Sequence, residues 1–206
     1  MRKVNFGCGL SVHPDWANYD ASPTLLLQRL PVLGMVARRF VKPVFPPLAR
    51  VGDVSRGLPE AAASVELVYC SHVLEHLAYE DCRAALREVR RILKPDGVFR
   101  GVLPNLRRDA EAYLADTAAD ACSRFMRRSM LGTVRRPRGV VGRAKAMLGN
   151  SQHLWMWDFP GLAAELTEAG FRHVRPAVLG DSVHAEFAQL EAPGRWEGCL
   201  GFECRK

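Results

Sequence analysis

The sequence predicts an α/β fold built on a mainly parallel sheet. Short β-forming runs alternate with amphipathic helical patterns, the rhythm of βαβ crossovers. Two of the runs, at 67–70 and 98–103, are apolar enough to be buried on both faces, as parallel strands usually are. The first run delivers the chain into Gly7-Cys8-Gly9, a bend without side chains at either glycine.

Taken in order, Val4 to Phe6 is a short strand, and Trp16 to Tyr19 is a second that ends at Asp20. Only ten residues separate Gly9 from Asp20, and Pro14 lies among them, so the first crossover is expected to be a loop or a single turn. Val65 to Cys70 is a strand that ends at Ser71. From Tyr79 to Lys94, the residues Cys82, Ala85, Leu86, Val89, Ile92 and Leu93 recur at helical spacing. Pro95 and Gly97 stop that helix, and Val98 to Leu103 follows a Pro-Asp-Gly turn as the next strand. Asp158 is a good N-cap for a helix over Phe159 to Ala169. Arg107 to Met130 shows a further amphipathic pattern. Arg172 to Val178 is a weaker strand, and His184 to Leu190 with Leu200 to Cys204 are expected to form a closing antiparallel pair.

The bulk properties fit a soluble α/β protein. The chain has 206 residues, 48% of them hydrophobic and 25% charged. Its formal charge of +7 suits an acidic partner without requiring one. The six cysteines show no C-x-x-C pair and no zinc-like Cys/His spacing, so no metal site is expected from spacing and a reducing, cytoplasmic compartment is. The chain starts directly with a strand-like run, so no signal peptide is expected. No apolar run approaches the ~20 residues of a membrane span.

Ligands of open α/β sheets bind at the carboxyl ends of strands, where strand order reverses. Gly7 and Gly9 would let a ligand approach the backbone, and Asp20 at the end of the next strand can accept both hydroxyls of a ribose. Asn5-Phe6-Gly7-Cys8-Gly9, Asn18-Tyr19-Asp20, Gly52-Asp53-Val54 and Val68-Tyr69-Cys70-Ser71-His72-Val73-Leu74-Glu75-His76-Leu77 follow one another in order. With the later Leu86 to Gly97 run, this series resembles the class I S-adenosylmethionine-dependent methyltransferases. It is most similar to the small predicted methyltransferases associated with bacterial polysaccharide and lipopolysaccharide assembly.

That resemblance implies a Rossmann-like fold: a mostly parallel seven-stranded sheet with an antiparallel C-terminal strand. It implies one methyltransferase domain over 1–206, with insertions at about 24–50 and 107–157 shaping the acceptor pocket. S-adenosylmethionine is the implied cofactor. Gly7, Cys8 and Gly9 would line its methionine part, Asp20 would hold the ribose, and Asp53 and Val54 would meet the adenine. Ser71 and His72 would sit beside the methyl-bearing sulfur, while Glu75 and His76 would brace the turn. Two positions depart from the family pattern: Asn5 replaces the usual acid and Ser11 the third glycine.

The implied acceptor is a hydroxyl on a sugar, glycolipid or other small molecule, itself acidic if the basic surface serves it. A hydroxyl acceptor benefits from a general base, and His72 and His153 are the candidates. Trp155 and Trp157 form either an aromatic wall for the acceptor or simply core. The cluster from Arg124 to Lys145 is either a phosphate or acidic-glycan site or a solvated insertion. Nucleic acid is the less expected partner, because no aromatic residues are interleaved with these arginines as stacking platforms. Residues 24–50, apolar and basic, read as a lid over the cofactor or as a segment lying on an anionic membrane. A methyltransferase acting on RNA, or a binding protein that kept the fold without the chemistry, are the rival readings.

Overall fold

The computed structural model of the chain describes residues 1–134, 139 and 152–206. Its centre is one sheet of seven strands: β1 (Lys3–Phe6), β2 (Ala17–Asp20), β3 (Ala49–Val51), β4 (Val65–Ser71), β5 (Leu93–Pro104), β6 (Arg172–Ala177) and β7 (Cys199–Arg205). Their spatial order is β3-β2-β1-β4-β5-β7-β6. The first five pair in parallel, and β7 runs antiparallel between β5 and β6. This is the mostly parallel, seven-stranded architecture expected. The chain works outward from β1 to β3 and returns to β4 on the other side of β1. The order therefore reverses between β1 and β4, where Phe6 lies opposite Cys70.

Alternation along the strands divides the core in two. Val4 and Phe6 of β1, Val68 and Cys70 of β4 and Phe99 of β5 face one side. There they meet Cys82, Leu86 and Val89 of α3 (Tyr79–Ile92) and Leu162 and Leu166 of α6 (Phe159–Glu168). The opposite face carries Leu67, Tyr69, Val98 and Val102. It is covered by Trp16, Phe187, Leu190 and Trp196, from the first crossover and the β6–β7 connection.

Helix α3 ends at Ile92, two residues short of the expected Lys94. Pro95 disfavours helical backbone at residue 94, and β5 already begins at Leu93. Asp158 caps α6 as expected, its Oδ1 accepting from the Gly161 N–H at 2.9 Å.

No helix forms between β1 and β2. An amide network takes its place: the Asn5 side chain donates to the Ser11 carbonyl at 2.9 Å and to Asn18 Oδ1 at 3.1 Å. Asn18 in turn donates to the carbonyls of His13 and Trp16 at 2.9 and 2.8 Å. An acid at residue 5 has no N–H to give these acceptors, so Asn5 suits a short, helix-free crossover.

The remaining differences lie outside the regular core. Residues 184–190 are not a strand: Ala185–Gln189 is a 3-10 turn, and β6 is the strand that pairs with β7. The pattern over 107–130 resolves into two helices, α4 (Leu106–Ala115) and α5 (Ala121–Arg128), whose Tyr113 and Phe125 rings meet at 5.3 Å. Within 24–50 lie two helices, α1 (Pro23–Arg29) and α2 (Leu33–Phe40), and the unforeseen strand β3. Gln28 of α1 holds the proline-rich return, donating to the carbonyls of Val41 and Pro43 and accepting from the Phe45 N–H. The basic residues Arg135, Arg136, Arg138, Arg143 and Lys145 lie outside the described residues. Among the described residues, no helix is long and apolar enough to cross a membrane.

Candidate active site

A cleft of about 350 Å³ opens at the carboxyl ends of β1, β2 and β4, at the point of strand reversal. Its volume falls in the range of roughly 300–1,000 Å³ usual for small-molecule sites. Gly7, Gly9, Asp20, Asp53, Val54, Ser71 and His72 all line it.

The bend after β1 needs its glycines. Gly7 has φ +61°, and a Cβ there would lie 2.2 Å from Cγ2 of Val73, so the loop after β4 packs directly on bare backbone. Gly9, at φ +51°, turns its N–H to Asp20 Oδ2 at 2.8 Å. The other carboxylate oxygen accepts from the Ser22 N–H at 2.8 Å. Asp20 is thereby fixed at the cleft wall with lone pairs left for a further donor on each oxygen. Cys8 turns its side chain beneath the loop, against Leu25, Phe45 and Ala49. Burial, with a smaller contribution from the charge of Asp20, pushes its thiol up to about 12.

Beyond β3, Asp53 Oδ1 accepts from Ser55 N and Oγ at 2.9 and 2.7 Å, which fixes the turn holding Val54 against the cleft. Phe45, from the return of the 24–50 segment, also lines the cleft, whereas α2 contributes no residue to it.

Strand β4 ends at Ser71, and His72 follows with φ +56°, an uncommon backbone state for a residue with a Cβ. Its N–H is held by the Val102 carbonyl at 2.8 Å. Nε2 lies 3.0 Å from the Arg195 carbonyl, and Nδ1 lies 3.3 Å from Oε1 of Glu75. Burial opposes a charge on this ring, but the contacts with Cys199, the Glu75 carboxylate and the Arg195 carbonyl raise its pKa to about 10. At neutral pH His72 is therefore a cation with both ring nitrogens engaged, not a ring ready to accept a proton.

His153 is not among the residues lining the cleft. It is buried behind the 3-10 turn Leu74–His76, edge-on to His76 at 4.9 Å between ring centres. Burial lowers its pKa, which keeps the ring neutral. Trp155 and Trp157 part company: Trp157 is buried in the core, while Trp155 is 44% exposed with its ring 4.9 Å from that of Tyr79.

Phe45, Gly52, His76 and Arg195 were not anticipated as lining residues. Gly52, next to Asp53, and His76, on the turn after β4, carried a local signal; Phe45 and Arg195 arrive from a loop and a distant part of the chain.

The family profile described as a methyltransferase domain matches residues 4–100. A SAM-dependent methyltransferase from Archaeoglobus fulgidus superposes with a TM-score of 0.51 at 13% identity, covering 100% of this chain and 86% of that one. One from Thermotoga maritima gives 0.50 at 14% identity, covering 100% and 82%. A chain of the Haloferax volcanii complex between the Trm112 methyltransferase activator and a methyltransferase gives 0.50 at 17% identity, covering 99% and 81%. A search of curated proteins finds no match.

The fold is that of the SAM-dependent methyltransferases it superposes on, and the methyltransferase-domain profile reaches across β1 to β5, just under half of the chain. A methyltransferase domain on this sheet indicates S-adenosylmethionine as the cofactor.

Proposed function

We propose that the chain is an S-adenosylmethionine-dependent methyltransferase acting on a hydroxyl of a sugar or glycolipid at an anionic membrane surface. The observation that carries the cofactor half is the Asp20 carboxylate, locked by the Gly9 and Ser22 N–H groups at the wall of the strand-end cleft. Asp20 would hold the ribose hydroxyls, the bare bend at Gly7 would admit the methionine portion, and Asp53 with Val54 would meet the adenine. Bound S-adenosylmethionine supplies a methyl group on a sulfonium centre. The chain's task is to hold an acceptor oxygen in line with it, and orientation of this kind contributes on the order of 7–11 kcal/mol. His72 carries its own proton, so it serves as a fixed cation and hydrogen-bond donor that closes the cleft against Arg195.

Two features support the acceptor half. The exposed ring of Trp155 beside Tyr79 is a platform of the kind that sugars stack on, and the Trp155 N–H is held by the Glu75 carbonyl on the turn bordering the cleft. Residues 21–52 contain five basic residues and no Asp or Glu. On that stretch Val32, Leu33, Met35, Val36 and Phe40 are 56–75% exposed, next to Arg38, Arg39 and Lys42. An apolar ridge among cations complements an anionic bilayer.

The test is sedimentation with vesicles, followed by methyl transfer to a glycolipid precursor carried in them. The chain should partition onto vesicles containing phosphatidylglycerol and not onto pure phosphatidylcholine. Changing Arg38 and Arg39 to Ala removes two contributions of about 1 kcal/mol each, so partitioning should fall roughly 30-fold. Equal binding to both vesicle types, or to neither, would refute the membrane reading. Methylation confined to RNA would refute the acceptor.

A further inference from the structure

Beside the nucleoside cleft stands a cluster that the reading above does not use. Glu75 is fully buried, and among the described residues neither oxygen of its carboxylate accepts a hydrogen bond. A carboxylate taken out of water without hydrogen bonds is costly unless it is paired or coordinates a metal. Among the described residues the basic group it meets is His72, whose Nδ1 touches a single oxygen at 3.3 Å. The next residue, His76, has Nδ1 2.9 Å from the Gln152 carbonyl. That contact puts the ring proton on Nδ1 and leaves the lone pair of Nε2 unused, the arrangement by which an outer partner orients a ligating histidine. The third member, His153, is 8% exposed, and its Nδ1 is buried without a hydrogen-bond partner among the described residues. The ligand atoms of these three residues all lie within 4.8 Å of one another.

The geometry points to a divalent-metal site formed by Glu75, His76 and His153. Two imidazoles and one carboxylate suit a first-row ion such as Zn²⁺ or Mn²⁺ better than Mg²⁺ or Ca²⁺, which favour oxygen ligands throughout. Three protein ligands leave coordination positions open, and His76 also lines the cleft, so the ion would stand at the cleft wall. An ion there would polarise an acceptor oxygen and ease loss of its proton. That last role rests on the methyl-transfer reading; the metal site does not. Sequence spacing gave no hint of it, because His153 joins the pair at 75–76 only through the fold. The joining contacts are backbone ones: the N–H groups of Leu154 and Trp155 both donate to the Glu75 carbonyl.

Cobalt(II) tests the site with a spectroscopic readout independent of activity. Titration of the untagged full chain should develop the visible bands of an N/O-ligated ion at one equivalent, and Zn²⁺ should abolish them by displacement. Glu75→Gln and His153→Ala should each weaken binding by more than about 100-fold, beyond the 10–100-fold typical of losing an outer partner. His76→Ala, at a half-buried position, carries the same expectation if either of those variants fails to fold. No bands up to millimolar cobalt, or unchanged affinity in the variants, would overturn the proposal. Titrating S-adenosylhomocysteine into metal-free protein keeps the two readings apart, since either binding event can fail alone.

Discussion

Replacing Asp20 with Ala should weaken binding of S-adenosylhomocysteine by at least about 100-fold while the sheet stays folded. The carboxylate is held by two backbone N–H groups, at Gly9 and Ser22, so it is pre-aimed before any ligand arrives. Hydrogen bonds to a charged group contribute about 1.5–3 kcal/mol each, so losing two removes at least about 3 kcal/mol, or two orders of magnitude in affinity. Calorimetric titration of wild type and variant measures the difference, and thermal unfolding by circular dichroism verifies the fold. Affinity in the variant within a few-fold of wild type would mean that the nucleoside lies elsewhere.

A second large effect is expected far from the ligand. Arg100, in the middle of β5, is fully buried and holds three carboxylates: Glu191 at 2.6 Å, Asp181 at 2.8 Å and Glu203 at 3.2 Å. It also donates to the Val178 carbonyl at 2.7 Å and lies over the Trp196 ring at 4.7 Å. These contacts draw the 178–196 segment onto the second face of the sheet, beside Trp16, and they bring Arg195 to His72. Arg100→Met keeps the volume but strands the buried Glu191 carboxylate, a kind of loss that costs about 3–5 kcal/mol. For a chain of this length the Tm should fall by about 6–20 °C. Cofactor affinity should fall as well, because Arg195 borders the cleft. Adding Glu191→Gln to Arg100→Met should recover part of the lost stability, since the two residues form one network. A Tm shift of a degree or two would show that the segment is held by its aromatic contacts alone.

How much of this was legible in the sequence depended on whether a residue acts through local pattern or through distant contacts. Val4 and Phe6, the apolar run from Leu67 to Cys70 and the α3 periodicity announce buried strands and a helix because burial is written along the chain itself. The short first crossover was readable from Pro14 and the ten-residue gap, but the Asn5–Asn18 amide pair that makes it workable was not. Strand β3 has three residues and exists because β2 offers it an edge. Residues 184–190 look strand-like in isolation. Their Phe187 and Leu190 are apolar to cover the second face of the sheet, and Arg100 fastens the segment there. Arg100 itself gave no warning, since an arginine in a strand is ordinarily exposed.

The candidate site divides along the same line. Gly7, Asp20, Ser71 and His72 stand at or just beyond strand ends, and a strand end is readable from one stretch of sequence; Asp53 came only with the family resemblance, because β3 before it was not foreseen. Phe45, Arg195 and the Glu75–His76–His153 cluster depend on loops that return from elsewhere. The pKa of His72, raised to about 10 among Cys199, Glu75 and Arg195, belongs to that second group. A histidine after a strand reads as a base until its neighbours are known.

Calorimetric titration of S-adenosylmethionine into the purified wild-type chain bears most directly on all of this. One molecule should bind per chain, and adenosylhomocysteine should compete for the same place. An absence of heat up to millimolar ligand, with the chain demonstrably folded, would contradict the assignment and leave a methyltransferase sheet without its cofactor.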